Sequence, residues 1–542
     1  MADSEKMLED DLALLEESPS IYEKKSSDDL IEELSRHRTW KYTVLVFSIS
    51  LTILISPLNV YITSLAGIDP EPGDIWSCVS EKCEYLTSAN TSLLQEFPCD
   101  ITEIVDGKTE LVFGPSDIEW HLERTSFSVE FDLYCNVGSR PAQKTLLSSM
   151  YFPGALSGLI VGGFLFDNVG RQKVASVAYA LSFLVHLATT FCHNFQLLLA
   201  IRFWAGFFEF VGTTGFYVLQ LELMPASYRN YINGFAGIVW AAGYPIAAAV
   251  GYFVHDWNYM YLAAAILGIL SRVHTFVFVM ESPRFYLIKN DVKSAKKSFK
   301  ALAALTTANL NLDKTEIIDA GKAKERQQNL KQQFMELIKY PSVLKETLLF
   351  MFLWFFIAMF FYGLNFGWSE IVPNRYLGYL FGGLGEFVAA CITVPVIHKL
   401  GRRRAMIIFH SGAALVFLIA IPEVDLGNGW TLEGVCCLVC VTFIAASFAG
   451  IYLWTGELAP TSHRGFAYAA GSGAARVGSF LGPYIFNNLA PVTHRAVPFG
   501  IQSLASLLCA FAAFLLVETG DKEIACVPAD VEARRKGYRY RI

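Results

Sequence analysis

Charge is scarce in this chain: Asp, Glu, Lys and Arg make up 17% of 542 residues, against 53% hydrophobic residues and 42 Phe. So few charges cannot cover a soluble surface of this size, so lipid must be the solvent for much of the length. A Gly-x4-Gly-Lys-Ser/Thr phosphate loop is also missing, which argues against an ATP-driven pump. His186 and His274 stand alone in apolar surroundings with no convergent catalytic group, which disfavours a membrane-embedded enzyme. No metal site, cofactor or nucleic-acid partner is expected. Nor does an apolar leader precede the first long hydrophobic run: residues 1–38 are acidic and polar and are expected to form a disordered cytosolic tail.

What is abundant comes in blocks. Apolar stretches run Tyr42–Leu65, Thr145–Phe166, Val174–Cys192, Phe195–Tyr217, Ile232–Val254 and Tyr259–Met280, and then Leu348–Phe366, Tyr376–Ile397, Ala405–Ile421, Leu432–Leu453, Phe466–Asn488 and Pro498–Val517. Each is near the roughly 20 residues a spanning helix needs. The expected fold is therefore all-α and membrane-spanning, with twelve helices in two sets of six. Its divisions are an N-terminal half (39–65 and 145–280) broken by a loop (66–144), a helical linker (281–345), a C-terminal half (346–518) and a tail (519–542).

Lys and Arg sort the connectors by side, because translocating cations is unfavourable. Arg171 with Lys173, Arg229, the run from Arg284 to Lys345, Lys399 with Arg402–Arg404, Arg464, and Arg534, Arg535 and Lys536 all fall on one side, together with both termini. That side is expected to be cytosolic. The segment Ala66–Lys144 falls on the other and carries fifteen Asp and Glu against five Lys and Arg. It holds Cys78, Cys83, Cys99 and Cys135, candidates for two disulfides with three pairings open. The glycosylation sequon Asn90-Thr91-Ser92 lies in the same loop.

The two halves repeat. Glu222-Leu-Met-Pro225-x3-Arg229 is answered by Glu457-Leu-Ala-Pro460-x3-Arg464, and fourteen residues past each arginine stand Gly243 and Gly478. Gly170-Arg171-Gln172-Lys173 matches Gly401-Arg402-Arg403-Arg404, and Glu281-Ser282-Pro283-Arg284 matches Glu518-Thr519-Gly520. Two six-helix units related by an axis normal to the membrane place a cavity between them at the bilayer midplane, reached from either side by rocking.

Gly163-x3-Asp167-x2-Gly170-Arg171-x-Lys173 resembles the signature loop of the major facilitator superfamily; its Asp is replaced by His398 in the second half. The long loop ending in Ser128-Val-Glu130-Phe-Asp132-Leu-Tyr-Cys135, with Asp256-Trp257, Glu281-Ser282-Pro283-Arg284 and Tyr362-Gly363-Leu364, is similar to the organic cation, organic anion and carnitine transporter family. Members of that family place more cysteines in the loop, beginning earlier than Cys78. The long loop separates the chain from sugar carriers that share some of these motifs. The resemblance implies a secondary transporter of small organic ions in the plasma membrane, functional as a monomer, with a proton or sodium as candidate coupling ion. It also implies that Asp167, Arg171, Glu222, Arg229, Glu281, Arg402, Glu457, Arg464 and Glu518 form a gating network.

Ionisable groups inside a span are functional candidates by default. Glu209, Glu386 and Arg476 lie near the midpoints of their helices and are the candidate substrate ligands. Counting twelve past Arg229 gives Ala241 where the other half has Arg476, so the arginine is added to the repeat scaffold. By resemblance, an arginine there accompanies anion or zwitterion carriers, and Glu386 accompanies cation and carnitine carriers. Glu209 is a candidate for a cationic group, a coupling proton or an ion pair within the protein. Trp354 and Tyr362, eight residues apart on one helical face, are candidate aromatic contacts. An organic anion or carnitine-like zwitterion is the favoured cargo; an organic cation, or a membrane sensor that binds without transporting, is the alternative.

Overall fold

The computed structural model describes residues 23–67, 69, 76–78, 101–105, 108–113, 118–120, 124–134, 139–225, 228–308, 310–313, 315–317, 335, 338–372, 374–422, 424–427, 430–459, 463–489, 493–494, 496–520 and 531. Among these, twelve long helical segments follow the twelve apolar blocks. Span one runs Trp40–Ser50, passes through a 3-10 turn at Leu51–Ile53 and continues as Ser56–Ala66. Span two joins Arg140–Ser149 to Tyr151–Val169, and spans three to six are Arg171–Thr189, Phe195–Glu222, Arg229–Phe253 and Trp257–Phe278. The second half follows as Pro341–Phe366, Arg375–Leu400, Arg402–Ile419, Leu432–Leu458, Arg464–Tyr484 and Ala496–Leu515. Nine of the described helices are long and apolar enough to cross a membrane. The other three, Arg171–Thr189, Arg402–Ile419 and Arg464–Tyr484, each begin on an arginine. Large apolar side chains such as Ile160, Phe164, Phe253 and Leu504 face outward, as a lipid solvent requires.

Small residues set the helix spacing. A Cβ on Gly243 in span five would lie inside contact distance of the Leu54 carbonyl in span one, and a Cβ on Gly478 in span eleven would meet the Phe355 carbonyl in span seven. The glycines that mark the sequence repeat thus perform the same close approach in both halves. Pro245 and Pro483 sit inside those same helices, and a π-helical turn, Ile485–Leu489, follows the second.

The loop between spans one and two contributes two strand pairs among its described residues, Trp76–Cys78 with Ile118–Trp120 and Ile101–Val105 with Lys108–Phe113. Its base is tied to the N-terminal half: Glu130 accepts from His193 Nδ1 and from Trp257 Nε1, both at 2.8 Å.

The expectation that residues 1–38 are disordered is corrected for residues 23–38; residues 1–22 lie outside the described residues. Ser27–Arg36 is a helix opened by a capping box, with Ser26 and Asp29 each satisfying the other's backbone N–H. Leu30, Ile31 and Leu34 are fully buried against Phe299 and Leu302 of the linker helix Val292–Ala303. Glu23–Lys25 adds a short parallel pairing with Thr315–Ile317. This terminal helix and the linker helices form one apolar cluster with spans one, three, four and five of the N-terminal half.

Candidate functional site

Glu386 projects from span eight and is 6% exposed. Its Oε1 accepts a hydrogen bond from the Tyr244 hydroxyl of span five, whose oxygen also lies 3.2 Å from the Tyr61 hydroxyl of span one. Around it the Tyr61 ring stands 5.5 Å from Tyr244, 5.7 Å from Tyr379, 6.3 Å from Tyr362 and 5.1 Å from Phe366. One carboxylate in a wall of ring faces is an arrangement that attracts an organic cation. Among the described residues no Lys or Arg lies within ion-pairing distance of Glu386.

Arg476 projects from span eleven and is 4% exposed. Its guanidinium carbon lies 3.9 Å from the Phe210 ring centroid of span four, and the hydroxyls of Tyr362 and Tyr452 are within hydrogen-bonding reach. Nε and Nη1 have no acceptor, and no described carboxylate pairs with the group. Gly478 and Gly482 bring span eleven against the span-seven backbone at Phe355 and Met359, which places Arg476 beside Tyr362. Tyr362 in turn packs 4.6 Å from Phe152 of span two. Glu386 and Arg476 therefore both belong to the C-terminal half and both touch aromatic groups of the N-terminal half. They face the interface between the halves, and neither neutralises the other.

Two of the candidate ligands are placed elsewhere. Glu209 is 1% exposed and forms an ion pair with Arg272 of span six; it also accepts from Ser56 at 2.8 Å, Ser182 at 3.1 Å and Asn59 at 3.2 Å. Its acceptor sites are filled from within the N-terminal half, so it is part of that half's interior and does not face the cavity. Trp354 is fully buried inside the C-terminal half, its Nε1 bonded to Thr455 Oγ1 at 3.1 Å and its ring 4.4 Å from Tyr452. It supports Tyr452 from behind.

Seven of the nine gating candidates have described side chains, and these fall into two clusters, one in each half. In the first half Arg171 pairs with Asp167 and Glu222, each at 3.3 Å, and Glu281 accepts from the Gln172 backbone N–H at 3.0 Å. In the second, Arg402 makes a bidentate pair with Glu457 at 2.8 and 2.6 Å, while Glu518 accepts from the backbone of Arg402 and Arg403 at 2.9 and 3.0 Å. Gly170 and Gly401 precede these arginines with φ of +118° and +83°, and a Cβ at either would strike the carboxylate of Glu281 or Glu518. Glycine is required at both on two counts. The matched carboxylates differ: burial pushes Glu281 above its ordinary pKa, whereas at Glu518 burial is outweighed by backbone N–H donors at Gly520, Arg402, Arg403 and Thr519, which hold it below. The side chains of Arg229 and Arg464, together with Cys83, Cys99, Cys135 and Asn90, lie outside the described residues, as does the side chain of Cys78.

One residue escaped the sequence reading. Arg124, at the base of the loop, donates to the carbonyls of Gly251 and Tyr252 in span five at 2.7 and 2.8 Å and to the Tyr376 hydroxyl of span eight at 3.0 Å. The guanidinium also lies against both tyrosine rings. It bridges the halves on the loop side, where Arg375 Nη1 also donates to the Ser64 carbonyl at 3.4 Å. Arg124→Ala is expected to open that side more often. A membrane-impermeant thiol reagent added from the loop side should modify Phe366→Cys about tenfold faster in the Arg124→Ala background, the population shift of one charge-assisted contact. Equal rates would remove Arg124 as a bridge that matters.

A family described as sugar (and other) transporter matches residues 121–529. The chain belongs to that family, within the major facilitator superfamily. It is accordingly a multi-pass membrane transporter of small substrates and not an enzyme. Curated relatives of this sugar (and other) transporter family member include solute carrier family 22 member 6 of Oryctolagus cuniculus, 28% identical over 77% of this chain and 76% of that protein. Solute carrier family 22 member 2 of Rattus norvegicus is 25% identical over 85% and 81%, and organic cation/carnitine transporter 4 of Arabidopsis thaliana 24% over 79% and 81%. These are the relatives that the loop and motif residues anticipate. An inward open conformation of the xylose transporter XylE from E. coli shares the fold, with a TM-score of 0.56 at 15% identity over 91% of this chain and 99% of that one.

Proposed function

We propose that this transporter carries small organic anions or carnitine-like zwitterions by alternating access, with the carboxylate of the cargo on Arg476. The observation that carries this reading is the unpaired Arg476 guanidinium, whose Nε and Nη1 have no acceptor inside a buried, aromatic-walled interface between the halves. Glu386 and the Tyr61–Tyr244–Tyr379 rings offer a second pole for a cationic group. A zwitterion satisfies both poles at once, which neither a simple anion nor a simple cation does. One relative's name, organic cation/carnitine transporter 4, includes a zwitterion of this kind. We place the transporter in the plasma membrane from its likeness to the solute carrier family 22 relatives, with both termini cytosolic from the distribution of Lys and Arg.

The test is uptake of labelled anions, cations and zwitterions by proteoliposomes, with pH and sodium gradients varied independently. Accumulation of anions and zwitterions above cations is expected. Binding without accumulation would make the chain a sensor, and preferential cation uptake would reverse the assignment of Arg476.

The two arginine–carboxylate clusters act in this scheme as state-dependent braces on the termini side. Arg402→Ala removes a bidentate contact within the second cluster. It is expected to slow uptake severalfold at unchanged substrate affinity, because the change falls on an equilibrium between states and not on the cavity. Weakened equilibrium binding of the labelled substrate with normal turnover would assign Arg402 to the substrate path.

A further inference from the structure

The N-terminal half holds a buried cation that the transport reading does not use. Arg202 of span four is 2% exposed, cannot lose its proton, and has no carboxylate within ion-pairing distance among the described residues. Glu209, nearby on the same helix, is taken by Arg272. Two of the Arg202 nitrogens donate to backbone carbonyls of span one, Nη1 to Asn59 at 2.7 Å and Nη2 to Val60, and its guanidinium lies 4.9 Å from the Tyr151 ring centroid. Carbonyls and a ring face ease the desolvation of a guanidinium, but they do not neutralise it.

Other buried donors near it are also unspent. Nε of Arg202, the hydroxyl of Tyr261 and both ring nitrogens of His186 are all buried and all without a partner. His186 and Tyr261 stack at 6.3 Å, Tyr261 lies within electrostatic reach of Arg202, and His186 lies within reach of both Arg202 and Arg272. The charges of Arg202, Arg272 and Glu209 thus comprise two guanidinium groups and one carboxylate, and the His186 imidazole adds at least one N–H donor. Three unspent donors beside one uncompensated positive charge call for a compact monovalent anion with no orientation of its own. A water would satisfy the hydrogen bonds and leave the charge.

We propose that Arg202, His186 and Tyr261 form a binding site for a small inorganic anion of halide class inside the N-terminal half, separate from the substrate cavity. The site lies near the loop-side ends of spans three, four and six, with Tyr151 standing between Arg202 and the aromatic wall to which Phe152 belongs. It is independent of what Arg476 binds.

The experiment uses the purified full chain carrying Arg476→Ala, so that the cavity arginine cannot report. Its thermal unfolding midpoint is followed as sodium gluconate is replaced by sodium chloride or bromide at constant ionic strength. A saturable rise is expected, lost in the added Arg202→Gln variant and displaced to about tenfold higher halide concentration by Tyr261→Phe, which deletes one hydrogen bond to a charged group. Tyr261→Phe carries the test alone if Arg202→Gln does not fold. In bromide, anomalous scattering should show a peak beside Arg202. A midpoint indifferent to halide, as water alone would give, overturns the site. So does a rise that Tyr261→Phe leaves unchanged.

Discussion

Arg476→Ala is expected to reach the membrane in normal amount and to bind carboxylate-bearing substrates about 2–5 kcal/mol more weakly, a loss typical of removing one partner from a buried charge pair. The prediction combines two observations. Arg476 has free donors at Nε and Nη1 inside the interface, so a ligand carboxylate can take a charge-assisted contact there. It also has no protein carboxylate of its own, so its removal strands no charge, and the unfolding midpoint should hold or rise. Arg476→Lys should recover part of the affinity, because a point charge lacks the planar fork. Arg476→Asp beside Glu386 should favour organic cations. Equilibrium binding, surface abundance and uptake are the measurements. A well-folded Arg476→Ala that carries anions and zwitterions at normal affinity would eliminate this arginine as the ligand.

Glu209 should behave in the opposite way. Glu209→Gln leaves Arg272 buried at 2% exposure without its counter-charge, and should destabilise the protein by about 3–5 kcal/mol, the range for breaking a buried pair from one side. Removing both charges with Glu209→Leu and Arg272→Met should restore much of that loss, so the double-mutant cycle gives a large coupling energy. The readout is the unfolding midpoint and the fraction of protein in the membrane. Normal stability of Glu209→Gln with impaired substrate binding would return Glu209 to the cavity.

The contrast between these two residues marks what a sequence can carry. Both are ionisable residues in mid-span, and lipid makes each conspicuous for the same reason. What separates them is whether an opposite charge lies across the helix interface, and Arg272 is far from Glu209 along the chain. Arg202 and Arg272 are also charges in apolar blocks, but they lie several residues from the helix midpoints. The spans themselves were legible because a bilayer permits few alternatives to a long apolar helix. The repeat was legible because the glycines at 243 and 478 and at 170 and 401 answer to backbone geometry, which varies little between the halves. Ser27–Arg36 was missed because Asp28, Asp29, Glu32 and Glu33 dominate its composition, although Leu30, Ile31 and Leu34 already mark one apolar face. Arg124 sits in a loop, where no periodicity indicates which strand end it will reach.

Docking of the terminal helix and of Val292–Ala303 on the N-terminal half alone has a mechanical consequence. These helices are passengers of one half, so their motion reports that half's rotation directly. A spectroscopic probe at Lys297, which is exposed, paired with one at Arg404 at the start of span nine, reads the tilt of one half against the other as a single distance. The protein carries its own pointer and dial on the side of the membrane that holds its termini.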